Sequence, residues 1–168
     1  MDGLATHDVP DAVAPEGWRL DVSGRVDRPL SLAAGDLRSM EGVRVEGDFS
    51  CVEGWTATDL TWRGVRVADV LDRARPEAAA EHAIVRAMDG DYACGFALDR
   101  LDGALLALDL DGEPLPVEHG GPARLVPGPT DSDCWESVKW VAGIELLADE
   151  PDEDDTARGI ALSRADRD

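Results

Sequence analysis

The stretch Asp48-Phe49-Ser50-Cys51-Val52-Glu53-Gly54-Trp55 sets a thiol at the end of a strand-like run that begins at Val43, where the chain breaks into a Gly-Trp turn. A soft thiolate at a strand end, followed by residues that let backbone approach a ligand closely, is what a metal–sulfur bond requires. A free cysteine also packs well as a small buried hydrophobe. The octapeptide alone leaves both readings of Cys51 open.

Working outward, Trp18, Leu20 and Val22 alternate with polar residues and predict a half-buried strand reaching about Val26. Arg28-Pro29 turns the chain, and Ser31 to Arg38 reads as a short helix with Leu32 and Leu37 as its apolar contacts. Beyond the octapeptide, Leu60-Thr61-Trp62-Arg63-Gly64-Val65 reads as a short strand with a glycine break. Val67, Val70, Leu71 and Ala74 recur at helical spacing, so 67–74 is a helix, closed by Pro76. His82–Met88 and Tyr92–Leu98 flank the turn Asp89-Gly90-Asp91 and predict a hairpin, followed by one helical turn at Asp99–Leu101. Ala104–Leu110 is a buried strand ended by Asp111-Gly112. Ala123–Val126 is another strand, Pro127–Ser132 a loop, and Val138–Leu147 the last apolar segment. Strands outnumber helices and follow one another in meander order, with helices inserted singly. The expected class is therefore α+β, a mixed and β-rich fold, without regular βαβ alternation. Residues 1–16 read as a flexible acidic arm, 17–148 as the domain, and 149–168 as an acidic flexible tail carrying Glu150-Pro151-Asp152-Glu153-Asp154-Asp155.

At 168 residues the chain is long enough to bury a sizeable core. Its charge is unusual: 36 acidic residues (24 Asp, 12 Glu) against 16 basic ones (15 Arg, one Lys) give −20. Self-repulsion of that size destabilises a compact state unless salt screens it, and at about 1 M salt the Debye length is only ~3 Å. The composition is that of a halophilic, high-salt cytoplasmic protein. GC-rich codon bias favours Asp, Ala, Gly and Arg but does not by itself produce the net charge. Nucleic acid and anionic membrane surfaces are excluded as partners, because each requires a basic footprint. No apolar run of signal-peptide or membrane length occurs, so no membrane insertion and a cytoplasmic location are expected. The three cysteines, Cys51, Cys94 and Cys134, are odd in number and lack C-x-x-C spacing, which argues against a disulfide framework or zinc knuckle. Cys94 alternates into a strand and, like Trp18, Trp62 and Trp140, reads as core.

A second informative stretch is His119-Gly120-Gly121-Pro122-Ala123-Arg124, followed after a loop by Ser137-Val138-Lys139-Trp140. The two glycines free the backbone for close approach, and Arg124 offers a planar fork suited to a phosphate or a ring carbonyl. On a strand, Ser137 and Lys139 would face the same side. A single ion pair at ~4 Å and an effective dielectric near 20 has a Coulomb term of about 4 kcal/mol before desolvation, so direct contacts of this kind suit an anion in an acidic chain. Pairing of Arg124 and Lys139 with nearby Asp or Glu is the other reading.

Taken as an ordered set, these pieces resemble the molybdopterin-binding domain of the sulfite oxidase family, including its bacterial methionine-sulfoxide-reductase-like branch. The resemblance runs from about Trp18 to Leu147. It rests on Gly24-Arg25-Val26-Asp27-Arg28-Pro29-Leu30, Cys51-Val52-Glu53-Gly54-Trp55, Trp62-Arg63-Gly64-Val65, Met88-Asp89-Gly90-Asp91-Tyr92, Asp111-Gly112-Glu113-Pro114-Leu115, the His119–Arg124 stretch and Ser137-Val138-Lys139-Trp140. It implies a molybdenum-molybdopterin cofactor (Mo-MPT) with Cys51 as the protein thiolate on the metal. It further implies that His119 and Arg124 contact the pterin and its phosphate. Ser137 and Lys139 would hold the cofactor from the opposite side, with Asp89 beside it. The implied activity is a molybdopterin-dependent oxidoreductase performing two-electron oxygen-atom transfer on a small sulfite- or sulfoxide-like molecule, with an electron-transfer partner. Sulfite oxidases place arginines just after the ligand cysteine, where this chain has Val52-Glu53-Gly54-Trp55, and a glutamate there repels sulfite. Their active-site tyrosine follows the Val-Lys-Trp segment, whereas Tyr92 precedes it here. The aromatic-rich N-terminal segment, the C-terminal dimerisation domain and any haem motif of larger members have no counterpart. These departures keep open a cofactor-free binding or structural module that retains the fold.

Overall fold

A computed structural model describes residues 9, 11, 13–50, 56–88, 92–126 and 138–150, with backbone alone considered for 47–50 and 56–59. In order, the elements are β1 (Arg19–Gly24), β2 (Leu30–Ala33), α1 (Ala34–Arg38), β3 (Val43–Ser50), β4 (Thr56–Arg66) and α2 (Val67–Ala74). There follow β5 (His82–Ala87), β6 (Ala93–Ala97), α3 (Leu98–Asp102), β7 (Leu105–Leu110), β8 (Glu113–Pro114), a 3-10 turn (Val117–His119), β9 (Arg124–Val126) and β10 (Val141–Leu147). The class is α+β, mixed and strand-rich, as its sequence predicts.

The order of strands in space is not a meander. One sheet runs β2-β1-β10-β5-β6 and the other β3-β4-β7-β8, with β9 also on β7. The last strand lies parallel to the first, Val22 opposite Ile144, and this pairing joins β2-β1 to β10-β5-β6 in one sheet. Local turn signals cannot encode such a pairing, because its register is set by burial of side chains far apart in the chain. The main core gathers Leu20, Val22, Ala83, Val85, Ile144 and Leu146 from the first sheet. Leu37, Val67, Val70, Leu71 and Leu101 join from the helices, with Leu106, Leu108 and Leu125 from the second sheet. A smaller cluster, Leu60, Trp62, Leu105, Ala107, Leu110, Leu115 and Val126, covers the opposite face of that second sheet. Strand β7 therefore buries both faces, Leu105 and Ala107 to one cluster and Leu106 and Leu108 to the other. That is why its sequence is a continuous apolar run and not an alternating one.

Three local expectations are corrected. Ser31 to Arg38 is not one helix: 30–33 is a strand, Leu32 opposite Leu20, and only 34–38 is helical. The ladder to β1 captures the first half, while the Asp36 carboxylate accepts from the Ala33 N–H at 2.9 Å and starts the helix. Strand β4 passes through Gly64 without breaking, with a register shift between Arg63 and Gly64. A Cβ at Gly64 would overlap the Leu106 carbonyl, so the glycine serves close approach of β4 to β7 and not a turn. Finally, residues 139–140 form a bend and β10 begins only at Val141, so Lys139 does not stand on a strand. The helix at 67–74 forms as its spacing predicts, with Asp69 in its first turn and Arg73 in its last, each matched to the helix dipole. Cys94 is buried, and Trp18, Trp62 and Trp140 are core residues. Among the described residues no helix is long and apolar enough to cross a membrane.

Candidate functional site

The strand registers bring several chain ends to one corner. Trp62 pairs with Leu110 and Arg66 with Leu105, so β4 begins, at Thr56, beyond the C-terminal end of β7. Strand β3 ends beside it, Ser50 opposite Thr56. Arg124 pairs with Ala107 and Val126 with Leu105, which puts the residues preceding Arg124 at that same end. The first sheet arrives there through the start of β10. Trp140 N–H donates to the Gly120 carbonyl at 2.9 Å, Val141 N–H to Ala123 at 3.0 Å, and Leu125 N–H to Val138 at 2.9 Å. Met88, the last described residue before the β5–β6 turn, donates its N–H to the Trp140 carbonyl at 2.7 Å.

Arg124 is 3% exposed, the only buried charged residue among those described. Desolvating a guanidinium is unfavourable without partners. Its Nη1 donates to the His119 carbonyl at 3.0 Å, and its plane lies 5.6 Å from the Trp62 ring centroid. Lys139 Nζ lies 5.9 Å from the Trp140 ring centroid. Gly120 holds the two side chains together. Its φ is +104°, and an added Cβ would sit 2.9 Å from Lys139 Cγ and 3.1 Å from Arg124 Cδ. Only glycine accommodates both the dihedral and the contacts. The Gly121–Pro122 peptide that follows is cis.

The His119 Nδ1 is buried and has no hydrogen-bond partner among the described residues. Buried polar nitrogens in folded proteins are nearly always paired, so such an atom marks a place where a bound polar group is accommodated. An imidazole nitrogen, a buried guanidinium and an ammonium within one short loop cluster form a donor set for an anionic, hydrogen-bonding ligand such as a pterin phosphate. That chemistry fits molybdopterin.

Of the residues expected at the site, His119, Arg124 and Lys139 are brought together. Cys51, Asp89 and Ser137 lie outside the described residues, although their described neighbours Ser50, Met88 and Val138 all lead to this corner. Among the described residues no three His, Cys, Asp or Glu side chains are grouped to hold a metal ion. Sequence reasoning missed the role of Trp140, whose Nε1 donates to the Val117 carbonyl at 2.7 Å and pins the 3-10 turn that carries His119. A tryptophan read as buried needs a partner for its N–H, and that rule was the available signal. It also missed Trp62 as the floor beneath Arg124.

Known proteins match this chain along most of its length. A family model described as the oxidoreductase molybdopterin binding domain matches residues 6–154. The uncharacterized oxidoreductase YuiH of Bacillus subtilis is 35% identical over 145 residues, covering 85% of this chain and 72% of that protein. The catalytic subunit of the protein-methionine-sulfoxide reductase MsrP of Xanthomonas campestris is 31% identical over 128 residues, and the match spans only 39% of its length. Among solved structures, the sulfane dehydrogenase SoxCD of Paracoccus pantotrophus superposes with a TM-score of 0.75 at 22% identity. The match covers 82% of this chain and 40% of that one.

Proposed function

Because the chain belongs to the molybdopterin-binding oxidoreductase family, we propose that it is a molybdenum-dependent enzyme of two-electron oxygen-atom transfer on a small sulfoxide- or sulfite-like molecule. The family's cofactor is molybdopterin, and when bound it supplies the redox chemistry itself. The chain's own residues bind and orient it. In this reading the Cys51 thiolate is the protein ligand to the metal, carried at the end of β3. Arg124 and Lys139 hold the phosphate, and His119 offers its buried Nδ1 to the pterin. Asp89 and Ser137 complete the contacts from the β5–β6 turn and from the approach to β10.

The carrying observation is the buried His119 Nδ1, without a hydrogen-bond partner among the described residues, in the same loop cluster as the buried Arg124 and the half-buried Lys139. A chain of net charge −20 has no long-range attraction for an anionic cofactor, so direct contacts must hold it. Glu53 follows Cys51 closely, and its charge favours a neutral oxo-donor over sulfite. Residues 17–148 form the working unit in this proposal, acting in the cytoplasm with a separate electron-transfer partner.

Metal and pterin content of protein made in a cofactor-competent host tests the assignment. Stoichiometric molybdenum that is lost in Cys51→Ser, with released pterin reduced in His119→Ala, is the expected result. Fully folded protein devoid of both would overturn it and leave a cofactor-free module. Lys139→Ala is expected to lower occupancy more than the exposed control Arg66→Ala, and equal losses would remove the anion-site argument.

A further inference from the structure

Strand β3 is the outer strand of the second sheet: β4 lines one side, and no described strand lines the other. An open edge presents unpaired backbone N–H and C=O groups. Third along it stands Val45, 39% exposed and the one exposed large hydrophobic among the described residues. Val45 pairs with Trp62 of the smaller apolar cluster, and Val43 packs against that cluster. Arg44 and Glu46 flank Val45, and their side chains, both 67% exposed, meet at 2.9 Å.

We propose that β3 pairs antiparallel with β3 of a second copy of this chain, about a two-fold axis through Val45. The pattern is self-complementary about that residue. Val45 faces Val45 of the second copy, Arg44 faces Glu46, Glu46 faces Arg44, and Val43 faces Gly47. Centring the axis one residue earlier opposes Arg44 to Arg44, and one residue later opposes Glu46 to Glu46. Like charges directly opposite one another destabilise a strand pair, so the charge order selects Val45. The paired strands also extend the small apolar cluster across the axis. Because Cys51 follows the last residue of β3 in sequence, the pairing braces from outside the strand that leads to the thiol. With −20 on each chain, the copies repel at low salt, and association strengthens as salt is added.

The test is sedimentation of the full chain from micromolar to millimolar protein in high salt, with circular dichroism to verify folding. Wild type is expected to dimerise. Arg44→Glu and Glu46→Arg should each weaken association about tenfold, since each sets two like-charged pairs across the axis. The double exchange Arg44→Glu/Glu46→Arg should restore it. A residue on the axis also links to itself. Opposed Cα atoms in an antiparallel pair lie about 4.5–5.5 Å apart, within the ~4.4–6.8 Å reach of a disulfide. Val45→Cys should therefore give a covalent dimer on mild oxidation, with the peptide containing position 45 joined to itself. A wild type that stays monomeric throughout, a dimer insensitive to both single reversals, or cross-linking of Val45→Cys only through native cysteines would overturn the proposal.

Discussion

The corner at His119–Arg124 and the packed helices α2 and α3 concentrate charge in opposite ways. At the corner a guanidinium is buried, with the His119 carbonyl as acceptor and the Trp62 ring across its face. At the helices Asp72, Asp99 and Asp102 lie near one another at the surface, and the Asp102 carboxyl is pushed above its ordinary range. Partial burial is the first cause, and the charges of Asp72 and Asp99 follow. The first arrangement uses low dielectric to make a scarce cation strong. The second leaves abundant anions where water and salt screen them. Position, more than net charge, decides what each charge does.

The sharpest way to break this contrast is at Arg124. Arg124→Ala unpairs the His119 carbonyl and empties the space over Trp62. A loss of about 2–4 kcal/mol is expected in denaturant unfolding. Arg124→Lys keeps the charge but not the planar fork, and should recover only part of it. If the lysine variant matches wild type, charge alone explains the corner and the geometric reading fails. Gly120→Ala comes next, at about 1–3 kcal/mol, because a side chain at φ +104° is strained and its Cβ crowds Lys139 and Arg124. Trp140→Phe removes one of two donors to the Val117 carbonyl, the Gly120 N–H remaining as the other, for about 1 kcal/mol. In that variant the 3-10 turn should also lose hydrogen-exchange protection at the His119 and Gly120 amides, which donate to Pro116 and Val117.

The same contrast divides what the sequence makes legible. Helix α2 could be read from four apolar residues at helical spacing, and the β5–β6 hairpin from Asp89-Gly90-Asp91, since both are local patterns. The loop His119–Arg124 was legible as a place of close backbone approach, because two adjacent glycines stand between an imidazole and a guanidinium, and Gly120 does take φ +104°. Its partner was misread: Lys139 looked like a strand residue, yet Trp140 takes φ +54° and the strand starts at Val141. Nothing within Ser137–Trp140 signals that bend, which depends on bonds to Gly120 and Met88. The parallel pairing of β1 with β10 was equally hidden, being fixed by a core shared across the length of the chain. The places of Cys51, Asp89 and Ser137 lie outside the described residues, so for them only the neighbouring strand ends speak.

The smallest effect lies at the helices and carries the clearest sign. An acid whose folded pKa is raised binds its proton more tightly folded than unfolded. The stability it contributes is therefore full below its unfolded pKa and is lost as pH rises through the folded value. Asp102, with its pKa above the ordinary 3.8, thus weakens the fold at neutral pH. Asp102→Asn, which cannot ionise, should be the more stable protein at neutral pH, and its advantage should shrink as the solution is acidified through the carboxylate range. Added salt should narrow the gap by screening Asp72 and Asp99, leaving the part that comes from burial. Thermal unfolding of both proteins across pH and salt measures this. An advantage independent of pH would mean that the carboxyl is not ionised against its neighbours. Arg124→Ala offers the contrast: a guanidinium stays charged throughout, so its loss should show no titration of its own in the same range.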